Sequence, residues 1–394
     1  MSILSVNAGS SSLKFALYPI NGGVIGEAEV TGNIEGLEPS GQPRISFCVT
    51  GQPKESAEVV VQPAQDVFDA ALNTLKALLA SRFAHLRVQA IAHRVVHGGA
   101  FYSSSVRVTP EVMAQLATLN PLAPLHQPHN LAGISAFAES FPDVPQVACF
   151  DTAFHRTLSP FETTFAIDKK LTAQGVRRYG FHGLSYQYVS QVLQREVPRS
   201  AGRVVMAHLG NGASVCATTE HQSRATTMGF SALDGLMMGT RSGALDPGVL
   251  LYLMEQGWDH DAIQKLLYKQ SGLLGVSGES ADMRTLRASS SDAARFATDL
   301  FAHRVVREVG ALSACIGGLD VLAFTGGIGE HDAVLRQQVG DALAYLGVHI
   351  DAARNAKAAG DSVASIHADN SAIEVWVIPT DEGRVAAQDA LAFV

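Results

Sequence analysis

The chain opens with two short apolar runs separated by a turn of small residues. The runs cover residues 3–6 and 13–18, and the turn is Asn7-Ala-Gly-Ser-Ser-Ser12. This pattern predicts a β-hairpin. Its tip would expose backbone N–H groups and three serine hydroxyls, with the ammonium of Lys14 just beyond. Such donors hold phosphate oxygens, although an ordinary serine- and glycine-rich turn is the alternative interpretation.

The same pattern returns in the second half of the chain. Residues 204–217 form an apolar run, a turn that contains Gly210-Asn-Gly212, and a second apolar run. In each half a later apolar run, 88–92 or 321–324, leads into paired glycines. We interpret the repetition as a duplication. It predicts two α/β domains whose glycine loops face one cleft and hold a nucleotide from both sides.

Between these strands, the spacing of apolar residues predicts helices. Pro110 stands where a helix would begin, and Ser291 would cap a long helix. The proline-rich segment 121–129 predicts a rigid loop, and the glycine-rich segment 271–284 predicts irregular structure. The predicted helices cover 67–83, a stretch from 110, 130–140, 185–193, 247–256, 259–268, 291–315, 332–346 and 384–393. Further strands are predicted at 24–30, 45–49, 58–61, 144–150 and 374–378.

The domain boundaries follow from these elements. We place the first domain at residues 1–150, together with a C-terminal helix at about 384–394 that crosses back to it. The second domain then covers residues 151–383 and carries nucleotide-binding loops. No low-complexity linker separates them, so we expect the two domains to be closely coupled.

Composition narrows the class of protein. The chain has 394 residues, 47% hydrophobic and 17% charged, which suffices for two domains with buried cores. The formal net charge is -8, and the sequence contains no block of basic residues, so a nucleic-acid partner is not expected. The four cysteines are widely spaced, and no apolar stretch approaches the ~20 residues that span a bilayer. These features, with no recognisable signal peptide, predict a soluble cytoplasmic protein without a membrane partner.

Several common chemical motifs are absent. The sequence has no GxxxxGK[ST], no complete GxGxxG, no GxSxG and no HExxH. His93 and His97 have the spacing of some metal pairs, but they flank Val95-Val96 and precede Gly98-Gly99. We therefore interpret them as the end of a strand, with metal binding as the less favoured alternative.

Charged residues beside glycines and at the ends of predicted strands remain as candidates. They are Arg94, Asp151, His182, Arg241 and the segment Asp381-Glu382-Gly383. Ligands of α/β domains bind at such positions. Each residue alone could be a surface ion pair or a helix cap. Together, two arginines, a histidine and carboxylates for Mg²⁺ indicate phosphoryl transfer.

At this point the chain resembles a known family. The motifs are Asn7-Ala-Gly-Ser-Ser-Ser-Leu-Lys14, His93-Arg-Val-Val-His-Gly-Gly99, Phe150-Asp-Thr-Ala-Phe-His155, Arg178-Tyr-Gly-Phe-His-Gly183, His208-Leu-Gly-Asn-Gly212, Gly239-Thr-Arg241, Ser271-Gly-Leu-Leu-Gly275, Asp282-Met-Arg284 and Phe324-Thr-Gly-Gly-Ile-Gly-Glu330. Together they resemble the acetate kinases, and the resemblance runs from residue 3 to residue 384. It implies duplicated RNase H-like domains of the actin/hexokinase/Hsp70 superfamily with an interdomain active site, a homodimer, and Mg²⁺ or Mn²⁺. The implied reaction is ATP plus acetate giving ADP plus acetyl phosphate, in either direction.

The resemblance also implies roles for the matching residues. Arg94 and Arg241 would hold the substrate carboxylate and the transferring phosphoryl group, and His182 would donate to the phosphoryl oxygens. Asp151 would lie near the metal and orient the reactants, and Asn7 and Glu382 are the expected metal-binding residues. The acetate methyl pocket is expected to comprise Val96, Leu125, Phe181 and Ala232. The expected nucleotide-binding residues are Ser10, Ser12, Lys14, His208, Gly210, Asn211, Gly212, Asp282, Met283, Arg284, Gly327, Ile328 and Gly329.

This chemistry is reasonable, but alternatives stay open. A carboxylate is already ionised at neutral pH, so its phosphorylation needs positive charge rather than a general base. A sugar or polyol kinase of the same fold would instead use an aspartate as base, and Asp151 could be that residue. A non-enzymatic scaffold that binds ATP is the third possibility, and it would not need Arg94 and Arg241.

Three positions depart from the family pattern. Ala232 stands where proline is common, Ala225 where aspartate is common, and Asp381-Glu382-Gly383 where Asn-Glu-Glu is common. Loss of a proline ring at residue 232 would widen the methyl pocket. One methylene of discrimination is worth only ~1–3 kcal/mol, so phosphorylation of propionate is the main alternative reaction.

Overall fold

A computed structural model describes residues 1–9, 11–38, 41–62, 65–124 and 126–394. Among them, the strands are β1 Ser2–Ala8, β2 Ser12–Asn21, β3 Val24–Ile25, β4 Val30–Glu35, β5 Arg44–Val49, β6 Glu55–Glu58, β7 Val88–Val95, β8 Val106–Arg107, β9 Gln146–Phe150, β10 Val204–Leu209, β11 Ala213–Thr219, β12 Gln222–Thr226, β13 Val321–Thr325, β14 Ala364–Ser365 and β15 Glu374–Val377.

The helices complete the fold. They are α1 Val67–Arg82, α2 Pro110–Ala117, α3 Gln127–Ser140, α4 Pro160–Thr163, α5 Lys169–Ala173, α6 Gly183–Glu196, α7 Pro247–Glu255, α8 His260–Lys269, α9 Gly272–Ser277, α10 Met283–Ala288, α11 Asp292–Cys315, α12 Gly326–His331, α13 Ala333–Ala342, α14 Ala352–Lys357 and α15 Glu382–Leu391. Short 3-10 helices lie at Asn120–Leu122, Ala153–Thr157, Pro198–Ala201 and Ala344–Leu346.

The described strands form two sheets with the same central pairing. In the first sheet β1 pairs with β2 antiparallel and with β7 parallel, and β7 pairs with β9 parallel. In the second sheet β10 pairs with β11 antiparallel and with β13 parallel, and β13 pairs with β15 parallel. The predicted duplication is thus confirmed in the order and direction of the central strands.

The structure divides into two compact units. The first contains Met1–Ala153 and Asp381–Val394, and the second contains Phe154–Thr380. The last helix, α15, belongs to the first unit and packs against β7 and β1. Glu382 is therefore carried by the same unit as Arg94 and Asp151.

Buried apolar faces explain why these elements form. Every residue of β1 except Asn7 is buried, as expected for a strand at the centre of a sheet. Helix α1 buries the face that contains Leu72, Leu75 and Leu79 in the core of the first unit. Helix α11 begins as predicted, because the Ser291 side chain accepts a hydrogen bond from the Ala294 N–H at 3.0 Å.

Some local predictions were wrong. Helix α3 begins at Gln127 rather than at residue 130, because proline is tolerated in the first turn, where its missing N–H has no intrahelical role. The glycine-rich segment 271–284 is not irregular, since α9 and the start of α10 lie within it. Strand β6 covers residues 55–58 rather than 58–61. Among the described helices, none combines the length and apolar character that crossing a membrane requires.

Candidate active site

In the first unit, Arg94 lies between two carboxylates. Its Nε donates to both carboxylate oxygens of Asp151 at 3.1 and 3.2 Å, and its Nη2 donates to Oδ2 at 2.7 Å. Its Nη1 lies 3.4 Å from Oε2 of Glu382. Strand pairing produces this arrangement, because β7 and β9 run parallel and their adjacent ends carry Arg94 and Asp151. Glu382 reaches the same arginine from the first turn of α15.

Burial and the neighbouring carboxylates shift the pKa of Arg94 in opposite directions. Burial alone would lower the pKa of Arg94, but the charges of Asp151 and Glu382 outweigh burial and raise the pKa above its ordinary value. Arg94 therefore remains a cation throughout the accessible pH range. The Asp151 side chain is 2% exposed and that of Arg94 is 22% exposed, so the pair is only partly open to solvent.

Val96 lies two residues after Arg94, and its backbone is held by a hydrogen bond to Asn130. Its N–H donates to Oδ1 of Asn130 at 3.1 Å, and Nδ2 of Asn130 donates to the carbonyl of Ala8 at 2.8 Å. Asn130 thus connects the end of β7 to the end of β1. Val96 is two residues from Arg94 in the sequence, and Leu125 lies outside the described residues.

The predicted phosphate hairpin is formed by β1 and β2. Asn7 and Lys14 are opposite each other in the register, and the Gly9 N–H donates to the carbonyl of Ser12 at 2.8 Å. Ser10 lies outside the described residues. The amide of Asn7 and the ammonium of Lys14 are therefore on neighbouring strands near one turn, as the hairpin prediction requires.

In the second unit, two histidines stack beside the second hairpin. The rings of His182 and His208 have centroids 4.2 Å apart and planes 25° apart. His182 Nδ1 is 2.8 Å from Oγ of Ser214, and His208 Nδ1 is 2.8 Å from Oγ of Ser185. His182 precedes α6 with φ of 58°, in the left-handed region that few residues other than glycine adopt. Its unusual backbone is consistent with a functional position.

Gly212 brings His182 and Arg241 together. A Cβ atom at residue 212 would lie 3.3 Å from Nε2 of His182 and 3.8 Å from Nη1 of Arg241. The same arginine nitrogen donates to the carbonyl of Ala232 at 3.0 Å. Two side-chain nitrogens therefore lie close to the backbone of Gly212, and this arrangement suits binding of an anionic group.

The glycine loops of this unit also meet. Strands β10 and β13 are parallel neighbours, and a Cβ atom on Gly210 would lie 4.0 Å from the backbone nitrogen of Gly327. Gly326 has φ of 75°, which allows the chain to turn sharply from β13 into α12. The Asn211 side chain packs directly against Gly239. The structure thus brings together Gly210, Asn211, Gly212 and the segment 326–329.

A carboxylate that the sequence analysis did not single out supports this loop. Oε1 of Glu330 accepts from the Gly326 N–H at 2.8 Å and from the Thr380 N–H at 3.0 Å. Glu330 ends the motif Phe324-Thr-Gly-Gly-Ile-Gly-Glu330, but its hydrogen bond to Thr380, 50 residues further along the chain, is visible only in the structure.

Asp282, Met283 and Arg284 lie at the start of α10. Asp282 caps this helix, and its ion pair with Arg284 is 2.8 Å long. The hydrogen bond from Arg284 lowers the pKa of Asp282 to about 2, with a smaller contribution from the Thr285 N–H. Met283 is buried. These contacts explain the helix start, and the expected role beside adenosine stays a prediction.

His155 is a further buried group near Phe181. Its Nε2–H donates to the Phe181 carbonyl at 2.9 Å, and its Nδ1 accepts from the Ser223 hydroxyl at 2.9 Å. Burial lowers the pKa of His155 to about 4, so the ring is neutral at pH 7. His155 ends the motif Phe150-Asp-Thr-Ala-Phe-His155, which by itself indicates no role for it, and in the structure it anchors the segment before His182.

His93 and His97 form hydrogen bonds to different residues. His93 Nε2–H donates to Gln146 at 2.7 Å, and His97 Nδ1 accepts from the Gly99 N–H at 2.8 Å. Burial lowers the pKa of each to about 4. The interpretation that they belong to the end of a strand agrees with these contacts, because both serve packing within the first unit.

The oxygen donors expected for Mg²⁺ fit that ion. Magnesium in nucleotide sites takes one or two carboxylates together with waters and phosphate oxygens, so a complete protein cage is not needed. The Glu382 side chain is 21% exposed, and its ion pair with Arg94 is long, at 3.4 Å. Asn7, the other expected donor, lies on β1, onto which α15 packs.

Almost the whole chain matches known proteins of one family. The model of the acetokinase family matches residues 2–388. The chain belongs to the acetokinase family. It is 48% identical to an acetate kinase of Rhodopseudomonas palustris over 392 residues, which cover 98% of this chain and 96% of the relative. It is 47% identical to an acetate kinase of Methylocella silvestris, covering 100% of this chain and 98% of the relative.

Solved structures of the same family have the same fold. A propionate kinase from Francisella tularensis superposes with a TM-score of 0.90 at 37% identity, covering 98% of each chain. Acetate kinase from Porphyromonas gingivalis superposes with a TM-score of 0.88 at 35% identity, covering 99% of each chain. The expected duplicated fold of the actin/hexokinase/Hsp70 superfamily is therefore confirmed. As a member of the acetokinase family, the chain is a nucleotide-dependent phosphotransferase with a carboxyl group as acceptor.

Proposed function

We propose that this protein transfers the γ-phosphoryl group of ATP to acetate, giving acetyl phosphate and ADP, and that it also catalyses the reverse reaction. A carboxylate oxygen of acetate forms the new bond to phosphorus. The bond from phosphorus to the β–γ bridging oxygen breaks, and ADP leaves with that electron pair. No proton needs to be removed from acetate, which is ionised at neutral pH.

The convergence of His182 and Arg241 on Gly212 carries this proposal. During transfer, negative charge is spread over the equatorial oxygens of the phosphoryl group. We assign His182 Nε2 and Arg241 Nη1 to those oxygens, because both nitrogens lie close to the backbone of Gly212. Such donors can each contribute 10²–10³-fold, roughly, to catalysis.

Arg94 is the proposed partner of the acetate carboxylate. Its charge is secured by Asp151 and Glu382, and three hydrogen bonds fix the plane of the guanidinium relative to Asp151. A fixed guanidinium can orient a carboxylate better than a flexible ammonium can. The backbone segment after Arg94 would place Val96 beside the methyl group.

The position of Asp151 disfavours the sugar-kinase alternative. A base for a hydroxyl substrate needs an oxygen that can approach the hydroxyl proton. Both carboxylate oxygens of Asp151 accept hydrogen bonds from Arg94, and the side chain is almost completely buried. We therefore assign Asp151 to the orientation of Arg94 rather than to proton transfer.

Glu382 and Asn7 are the residues proposed to hold Mg²⁺. The bound ion would neutralise phosphate charge and so reduce repulsion between two anionic reactants. Replacing Glu382 by Gln should raise the Mg²⁺ concentration needed for half-maximal activity, and a variant with an unchanged requirement would contradict this assignment.

A hydroxamate assay with ATP and Mg²⁺ tests the function and the choice of acid. The activity of the purified protein would be measured with acetate, propionate and butyrate under the same conditions. We expect the largest kcat/KM with acetate. A larger value with propionate would favour the alternative of a propionate kinase and direct attention to Ala232. Turnover of a sugar or polyol with none of the three acids would refute the proposal.

We further propose a homodimer in which α7 contributes to the interface. Every residue of α7 is at least partly exposed, although the helix is apolar, and Leu251, Tyr252 and Met254 are 63%, 58% and 55% exposed. Exposed apolar surface of this kind often marks association. Sedimentation of Leu251→Glu should show monomers where the parent protein is dimeric, with Phe161→Glu as the control at an exposed apolar residue elsewhere.

A cytoplasmic location is proposed from the chemistry. ATP is the phosphoryl donor, and the four cysteines, all within the described residues, form no disulfide. Cell fractionation should recover the acetate-dependent activity with cytoplasmic markers, and recovery outside the cytoplasm would contradict this assignment.

A further inference from the structure

His182 is connected to a buried tyrosine through one serine hydroxyl. Nδ1 of His182 lies 2.8 Å from Oγ of Ser214, and the same oxygen is hydrogen-bonded to the hydroxyl of Tyr186. Ser214 lies on β11, and Tyr186 lies on α6 one turn after His182. All three side chains are buried, so water has little access to these bonds.

The proton of Tyr186 has a defined location. Burial, together with the nearby thiol of Cys216, raises the pKa of Tyr186 well above its ordinary value, so the hydroxyl keeps its proton. Within the described residues, the hydrogen-bond acceptor next to the Tyr186 hydroxyl is Oγ of Ser214. A buried hydroxyl that keeps its proton needs an acceptor, so Tyr186 donates to Ser214.

The direction of the hydrogen bond from Tyr186 determines which partner receives the proton of Ser214. Within the described residues, Oγ of Ser214 has two side-chain partners, Tyr186 and His182. Since Tyr186 donates to Ser214, the single serine proton is available for Nδ1 of His182. A neutral imidazole that accepts at Nδ1 carries its own proton on Nε2.

We infer that Tyr186 and Ser214 are positioning residues that hold His182 as the neutral Nε2–H tautomer. This inference rests on the proposed function, because Nε2 is the nitrogen directed toward Gly212 and Arg241. In this tautomer His182 presents a hydrogen-bond donor to the phosphoryl group at every turnover. The positive charge at the same place then comes from Arg241.

The packing of Tyr186 supports a fixed orientation. Its ring contacts Phe154 at 6.2 Å and His155 at 5.7 Å between centroids. It also belongs to the buried core that contains Val189 and Val204. A tyrosine held in this way cannot turn its hydroxyl away from Ser214 without disturbing the core.

The experiment is NMR spectroscopy of the full-length protein with ¹⁵N-labelled histidine at neutral pH. Long-range ¹H–¹⁵N correlations distinguish the two neutral tautomers and the imidazolium. The His182→Gln variant identifies the signals of His182 by their loss. We expect the Nε2–H pattern for His182 in the parent protein, and a larger share of another protonation state in Tyr186→Phe and Ser214→Ala.

Ser185→Ala is the matched control for these spectra. Ser185 is adjacent to Tyr186 in sequence but bonds to His208, so its loss should leave the His182 pattern unchanged. Tyr186→Phe removes only a hydroxyl, so it tests the inference even if Ser214→Ala does not fold. We also expect Tyr186→Phe to lower kcat about tenfold with little change in KM, as for the loss of one buried hydrogen bond.

The outcomes separate this inference from the proposed function. A parent protein with the Nδ1–H tautomer or an imidazolium at His182 would overturn the inference, as would an unchanged His182 pattern in Tyr186→Phe. An Nε2–H ring in a protein that does not phosphorylate acetate would support the hydrogen-bond arrangement while refuting the function.

Discussion

Arg94 and Asp151 form a two-point ion pair at the adjacent ends of β7 and β9, with the shortest bond at 2.7 Å. We expect Asp151→Asn to lower kcat/KM for acetate about 10- to 100-fold, because a hydrogen bond between charged groups contributes roughly 1.5–3 kcal/mol. Steady-state kinetics with varied acetate measure the effect. Asp143→Asn, at an exposed carboxylate, is the control, and equal kinetics in the two variants would contradict the assigned role.

Arg241 should act in catalysis more than in nucleotide binding. Arg241→Ala removes a cation beside Gly212, so we expect kcat to fall by about 10²–10³-fold while ATP still binds. Kinetics give kcat, and calorimetric titration gives the affinity for ATP. Arg107→Ala, on the short strand β8, controls for the loss of one positive charge. An unchanged kcat would remove Arg241 from the catalytic residues.

A methyl group at residue 212 should interfere with His182. Gly212→Ala would place Cβ 3.3 Å from Nε2 of His182, in the space assigned to the phosphoryl oxygens. We expect a decrease in kcat with a near-normal melting temperature. Gly310→Ala is a matched control, because its Cβ would lie equally close, at 3.3 Å, to the hydroxyl of exposed Tyr345. Full activity in Gly212→Ala would argue against this location for the phosphoryl group.

Glu330 should affect the nucleotide loop through the backbone. Glu330→Ala leaves the N–H groups of Gly326 and Thr380 without their shared acceptor, so we expect weaker binding of ADP. Glu330→Gln keeps a carbonyl acceptor and should have the smaller effect. Calorimetric titration with ADP measures both, with Glu196→Ala as the surface control. Equal affinity in all variants would show that the loop does not depend on Glu330.

Three buried histidines predict loss of stability in mild acid. His93, His97 and His155 each have a pKa of about 4 in the folded protein, because burial disfavours the charged ring. Their ordinary value is 6.5, so the unfolded chain binds more protons as the pH falls from 6.5 to about 4. Stability is therefore retained above pH 6.5 and decreases below it, by up to ~1.4 kcal/mol per pH unit for each histidine.

Urea titrations between pH 7.5 and about 4.5 would measure this decrease. A His93→Gln variant removes one of the three titrating groups, so its free energy of unfolding should depend less steeply on pH than that of the parent protein. The same slope in both proteins would show that His93 does not contribute.

Local sequence was sufficient for many elements of the fold. The small-residue turns predicted both hairpins, and Ser291 predicted the start of α11, because these signals act through neighbouring residues. Short helices such as α9 were missed because glycine-rich sequence has low intrinsic helix propensity and tertiary contacts stabilise the helix. The start of α3 was displaced for a similar reason, since proline is compatible with both a loop and a first helical turn.

The candidate site was predictable as a set of residues but not as an arrangement. Motifs in the sequence identified Arg94, Asp151, His182, Arg241 and Glu382, and with them the family. The sequence did not show that Asp151 and Glu382 face Arg94, nor that Ser214 and Tyr186 approach His182. Those relations depend on the register of β7 with β9, on the packing of α15 against β7 and on the packing of α6 against the second sheet. Residues far apart in the chain meet only when strands pair and cores close, so tertiary structure alone decided these contacts.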